Sequence, residues 1–186
     1  MTTLPEGYRQ IRKIDLMRNR KEAVVVNVLA FAITLLMIAL GFVICPPFTN
    51  FTFGVDSLLT VILLVACVVV YMILHETVHG IFMKGFSGVK PRYGYSGLYA
   101  YAGSDALFDR RQYLVIAFAP VVILGLILLV LNIAFYETDF WLIYIVQVVN
   151  ISGAAGDFYV GVQIGRTRGE LLVRDTGTDM TLFALD

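Results

Sequence analysis

Four uninterrupted apolar runs, residues 23–44, 57–82, 113–135 and 140–164, take up most of the chain and decide what it can become. Each is long enough to cross roughly 30 Å of hydrocarbon as a helix. With 59% hydrophobic and 15% charged residues over 186 positions, and a mean hydropathy of +0.80, a soluble domain of this size is excluded. The remainder leaves no room for a second domain. The expectation is therefore one all-α polytopic membrane domain spanning residues 1–186, with four transmembrane helices and a small β-hairpin in one loop.

The formal net charge of zero hides an asymmetry. Six of the fourteen Lys and Arg precede the first run: Arg9, Arg12, Lys13, Arg18, Arg20 and Lys21. Lys84, Lys90, Arg92, Arg110 and Arg111 lie between the second and third runs, and Arg166, Arg168 and Arg174 follow the fourth. The other two loops have none. The positive-inside rule then places both termini and the central loop in the cytoplasm. No nucleic-acid partner is expected from such a charge pattern. The first run is too long for a signal-peptide core and lacks a small-residue cleavage site, so it reads as a retained span. Cys45, at the outer end of span one, and Cys67, well inside span two, are not placed to pair and read as packing residues.

Inside span two sits His75-Glu76-Thr77-Val78-His79, which holds the only two histidines of the chain. At about 100° per residue the two imidazoles point about 40° apart on one helix face, one turn above the other, and both can ligate one cation. Glu76 lies on the adjacent flank, from which its carboxylate reaches a water on the metal and acts as general base. A bland alternative is a pair of interfacial histidines beside a solvated glutamate. Ionisable groups at membrane depth are costly and default to function, which favours the metal.

Two histidines alone hold zinc poorly; catalytic sites usually have three protein ligands and an open position. Cys67 lies about 12 Å along the helix from His75, too far to share an ion. Asp105 and Asp109 belong to the central loop, and Glu137 and Asp139 to the opposite side of the membrane. Asp157 is the candidate. It precedes Arg166 by the same nine residues that separate His75 from Lys84, so both stand about 13 Å from their flanking charges and at matching depth. Asn150, Ala154, Asp157 and Gly161 share one face, thin enough to pack closely against span two. Asn150 is a candidate to hold substrate backbone or orient a ligand, with an interhelical hydrogen bond as the plainer role.

The remaining segments give weaker signals. Tyr8, Ile11 and Ile14 fall at roughly helical spacing among basic residues, which suits a short helix lying on the inner surface or a solvated basic leader. Pro46-Pro47 stops the first helix ahead of an external turn over residues 48–56. Gly80 and Gly85 loosen the exit of span two. Residues 90–95 and 98–101 read as two short strands around Ser96-Gly97. Tyr93 and Tyr95 on this hairpin are substrate-binding candidates, because an open strand edge beside a metal can take an extended peptide by strand addition. Interfacial anchoring by these tyrosines is the alternative. Pro120 removes one backbone hydrogen bond from span three and kinks it near the depth of the site, or serves local packing alone.

The histidine motif, the Ala119-Pro120 step, residues 150–157 and the closing Val173-Arg174-Asp175-Thr176-Gly177 together resemble the bacterial membrane family known as putative zincin peptidases, over most of the chain. The chain is more distantly similar to site-2 intramembrane metalloproteases. The resemblance implies His75, His79 and Asp157 as zinc ligands, Glu76 as catalytic acid and base, and the bacterial cytoplasmic membrane as the location. Site-2 proteases usually place their aspartate just before a glycine, whereas here Gly156 precedes Asp157. The function so implied is zinc-dependent cleavage of membrane protein or peptide substrates near the cytoplasmic face. A non-catalytic zinc-containing membrane adaptor or chaperone is the rival. A haem-binding sensor fits poorly, since His75 and His79 share a face and cannot sandwich one haem within a chain. Besides the bilayer and a substrate, a second copy of the chain is a conceivable partner.

Overall fold

The computed structural model describes residues 1–44, 55–96 and 99–185. The elements run β1 (Tyr8–Ile14), α1 (Arg20–Ile44), α2 (Val55–Ser87), β2 (Arg92–Ser96), β3 (Tyr99–Gly103), β4 (Leu107–Asp109), α3 (Arg110–Ala134), α4 (Phe140–Gly153), α5 (Ala155–Arg166), β5 (Leu171–Asp175) and β6 (Met180–Leu185). Among the described residues four helical segments, with α4 and α5 counted as one, are long and apolar enough to cross a membrane. Along α1 and α2 large apolar side chains such as Phe31, Leu36, Leu58 and Leu63 stand exposed, as lipid-facing helices require. These features are those of a multi-pass membrane protein. Cys45, the Pro46-Pro47 stop and most of the expected external turn lie outside the described residues, while Val55 and Asp56 already belong to α2.

The fold is mostly helical but carries more sheet than the sequence suggests. The segment read as a surface helix is instead strand β1. It pairs antiparallel with β6, Tyr8 opposite Leu185 and Ile14 opposite Met180. A register shift between Gln10 and Arg12 leaves Ile11 as the extra residue. A partner from the far end of the chain thus overrides the local helical spacing. The full sheet has the order β1-β6-β5-β4, and β2 and β3 form a separate two-stranded hairpin at the expected place. Since β4 leads into α3 and β5 follows α5, both chain ends and the sheet cap the same end of the bundle. Arg110 ties this end together, donating to the carbonyls of Ile164 at 2.6 Å and Thr167 at 2.6 Å. The main core lies under the sheet, where Met83, Phe108, Ile116, Ile164, Val173 and Leu182 are almost fully buried.

Three further departures shape the site. The fourth span breaks at Ala154, whose N–H turns to the Ser152 carbonyl, so α4 and α5 are distinct helices. The small residue Gly161 packs against α3 rather than α2: a Cβ there would stand 2.5 Å from the Phe118 ring. Gly80 does not loosen α2, which continues to Ser87. It makes room for the hairpin, because a Cβ at 80 would meet the Tyr93 hydroxyl at 2.0 Å. Asp109, one of the loop carboxylates, caps α3 by accepting from the Gln112 N–H at 2.9 Å, with the Gln112 side chain returning to the Asp109 N–H at 3.1 Å.

Candidate metal centre

Residues 71, 75 and 79 recur every four positions and so lie along one face of α2, turning by about 40° per step. This face meets the start of α5, where the break at Ala154 places Asp157 in the first helical turn. His75 and His79 are buried, and their Nε2 atoms stand 3.2 Å apart. The Asp157 carboxylate straddles them, with Oδ2 3.5 Å from His75 Nε2 and Oδ1 3.6 Å from His79 Nε2.

The far sides of both rings are engaged. His79 Nδ1 lies 2.9 Å from the Ile116 carbonyl oxygen; a carbonyl only accepts, so Nδ1 carries the hydrogen and Nε2 presents a bare lone pair. His75 Nδ1 lies 2.9 Å from the Tyr71 hydroxyl, which reaches the Asn150 carbonyl at 3.5 Å. With the bare Nε2 of His79, the Nε2 of His75 and a carboxylate converging at 3.2–3.6 Å, the cluster repels itself unless a cation or proton sits among them. The spacing suits zinc: ligands at about 2.0–2.2 Å in a tetrahedron are about 3.3–3.6 Å from one another. Among the described residues this is the group of three whose ligand atoms converge to hold a metal ion.

A cavity of about 470 Å³ opens onto the cluster. Its walls include Glu76, Tyr113 and Asp157, strand residues Ala100 and Ala102, and the turn from Asp175 to Met180. Glu76 and Ala102 line the same wall, which brings the hairpin against α2 next to the histidines. In an antiparallel pair, a strand's N–H groups alternate between its partner and the free edge. Ala100 and Ala102, two apart on β3, both line this cavity, so one side of that strand borders it.

The other residues singled out in the sequence take varied places. Asn150 is fully buried between helices, its amide donating to the Val121 carbonyl at 3.2 Å while its Oδ1 finds no protein partner. Tyr93 rests on Gly80, and Tyr95 is 66% exposed; neither lines the cavity. Asp105 pairs with Arg92 at 2.6 Å on the surface.

Sequence reasoning passed over two groups in the cavity wall. Tyr113, almost fully buried, donates a short hydrogen bond to Asp175 Oδ2, and the Gly177 N–H donates to Oδ1 at 2.8 Å. Burial pushes the Asp175 carboxyl above its ordinary range, opposed by these two hydrogen bonds. No local pattern announces this pair, because it joins α3 to β5 across 62 positions. Tyr71 was also passed over, although its place four residues before His75 on the same face is a signal that marks it.

The sequence profile of a family described as "Putative zincin peptidase" matches residues 68–170, more than half of the chain, and the chain belongs to that family. The matched stretch contains every residue of the cluster. No curated protein and no solved structure matches the chain.

Proposed function

We propose that this member of the zincin peptidase family is a zinc-dependent peptidase that cleaves membrane proteins or peptides near the cytoplasmic face of a bacterial inner membrane. The observation that carries the reading is the convergence of His75, His79 and Asp157 from two helices onto one point beside Glu76. His75 and His79 would hold the ion through Nε2 and Asp157 through its carboxylate. Zinc held there supplies Lewis acidity, acidifying a water and polarising a carbonyl. Glu76 takes the proton of the attacking water and returns it to the leaving amine. Glu76 stands in the wall of the cavity with both histidines.

The edge of β3 that borders the cavity offers backbone partners for an extended segment of substrate, while Tyr93 and Tyr95 on the outer strand lie away from it. A transmembrane helix would unwind locally to lie along it. All the basic residues outside the spans stand at the sheet end of the bundle, which supports a cytoplasmic location for both termini and the site.

The test is metal analysis of purified protein combined with Glu76→Gln. The amide keeps the shape and loses the base, so the variant should retain zinc and lose hydrolysis. A Glu76→Gln protein that still cleaves would overturn the reading. A wild type that binds zinc, cleaves nothing and supports cells as well as the variant would turn it towards a non-catalytic adaptor.

A further inference from the structure

We propose that Pro120 is a positioning residue for the metal centre: it leaves the Ile116 carbonyl without a helical donor, and that carbonyl holds His79 with its hydrogen on Nδ1 and Nε2 bare towards His75 and Asp157. The proposal rests on the zinc reading of the cluster. In an uninterrupted helix the carbonyl of residue 116 is taken by the N–H of residue 120. Proline has no N–H, and its ring crowds the carbonyl four residues back. Ile116 is fully buried, so water does not fill the vacancy and another donor must. The structure supplies His79 Nδ1 at 2.9 Å, from a different helix. Pro120 itself is fully buried inside α3.

The other histidine follows the same logic with one relay. The break at Ala154 turns the N–H that would take the Asn150 carbonyl towards Ser152 instead. The Tyr71 hydroxyl points to that carbonyl at 3.5 Å and stands 2.9 Å from His75 Nδ1. The hydroxyl accepts from the ring when its proton is on Asn150 and donates to the ring otherwise, so this relay permits either tautomer of His75. Two interruptions in two spans thus provide partners for the outer nitrogens of both imidazoles; before a metal arrives His79 Nε2 is left unprotonated, 3.2 Å from His75 Nε2, which can donate to it. Outer partners of this kind fix the tautomer and plane of a ligating histidine. A proline placed one residue to either side would free a carbonyl pointing about 100° away, out of reach of His79.

The test begins with the metal-free wild type, labelled with 15N histidine. The chain has two histidines, so four ring nitrogens report. His79 should show a protonated Nδ1 and a bare Nε2; hydrogen on Nε2 overturns the proposal without any variant having to fold. In Pro120→Ala the restored helical N–H competes for the carbonyl. The His79 tautomers should then mix, and zinc affinity should fall about 10- to 100-fold, the range for outer partners. On a His79→Ala background the same change should cost no more than about twofold, because the link it breaks is already absent. A wild-type tautomer and affinity in Pro120→Ala, or an undiminished loss on the His79→Ala background, would mean that Pro120 acts only through helix shape. A wild type that binds no zinc would sink the peptidase reading, while the tautomer result would still judge Pro120.

Discussion

Removing Asp157 separates a metal ligand from a neighbour that merely stands close. Its two carboxylate oxygens are 3.5 and 3.6 Å from the two Nε2 atoms, so in the proposed centre it closes the coordination triangle. Zinc-finger peptides bind with roughly 10–16 kcal/mol through four ligands, or about 3 kcal/mol for each. Loss of one ligand therefore weakens binding about 100- to 1000-fold. The Asp157 side chain is 22% exposed, which lets water replace part of the lost coordination and places Asp157→Ala towards the lower end. His79→Ala, which removes an equivalent donor, should fall in the same range, and Asp157→Asn, with an oxygen but no charge, should be intermediate. Competition with a chromophoric chelator in detergent measures all three. A loss of only about 10-fold in Asp157→Ala, beside a much larger loss in His79→Ala, would make Asp157 an outer partner. Unchanged affinity would refute the geometric reasoning altogether.

Three other perturbations probe the surroundings. The raised Asp175 carboxyl favours the protonated form in the fold, so its stabilising contribution is complete below the ordinary carboxyl range and is lost as pH rises through the raised value. Thermal unfolding of Asp175→Asn should show a flatter decline with rising pH than the wild type, and equal slopes would contradict this. In Gly80→Ala the new methyl meets the Tyr93 hydroxyl, and Tyr93 is 54% exposed and free to swing out. The hairpin over residues 92–103 should then be cut faster by protease with little change in Tm; a large drop in Tm would mean that α2 shifts instead. In cells lacking an outer membrane barrier, a membrane-impermeant thiol reagent should label Glu137→Cys and spare Arg168→Cys, both built on a background without Cys45 and Cys67. The reverse pattern would invert the topology.

What the sequence reveals follows the range of the interactions involved. The four apolar runs locate the long helices because burial in lipid acts on each segment by itself. Counting residues to the flanking charges placed His75 and Asp157 at one depth, and the fold brings their atoms within 3.5 Å. The hairpin was legible from its turn and alternating tyrosines. The four-stranded sheet was not, because β1 has Leu185 and Met180 as partners and its spacing of Tyr8, Ile11 and Ile14 imitates a helix. The β5–β6 hairpin went unread, and which edge it would pair with depends on packing. The break at Ala154 lies within a segment whose small and polar residues stood out, but helix pattern alone does not say where such a segment parts. For Pro120 the freed carbonyl follows from counting back four residues; that His79 would take it follows only from how α2 and α3 meet.

The most direct measurement is anomalous scattering at the zinc edge from crystals of the wild-type protein grown with zinc at stoichiometric concentration. The account predicts one strong peak per chain, about 2.0–2.2 Å from His75 Nε2, His79 Nε2 and an Asp157 oxygen. A peak held by Asp105 or Asp109 at the surface, or no ordered zinc between the two histidines, would contradict it.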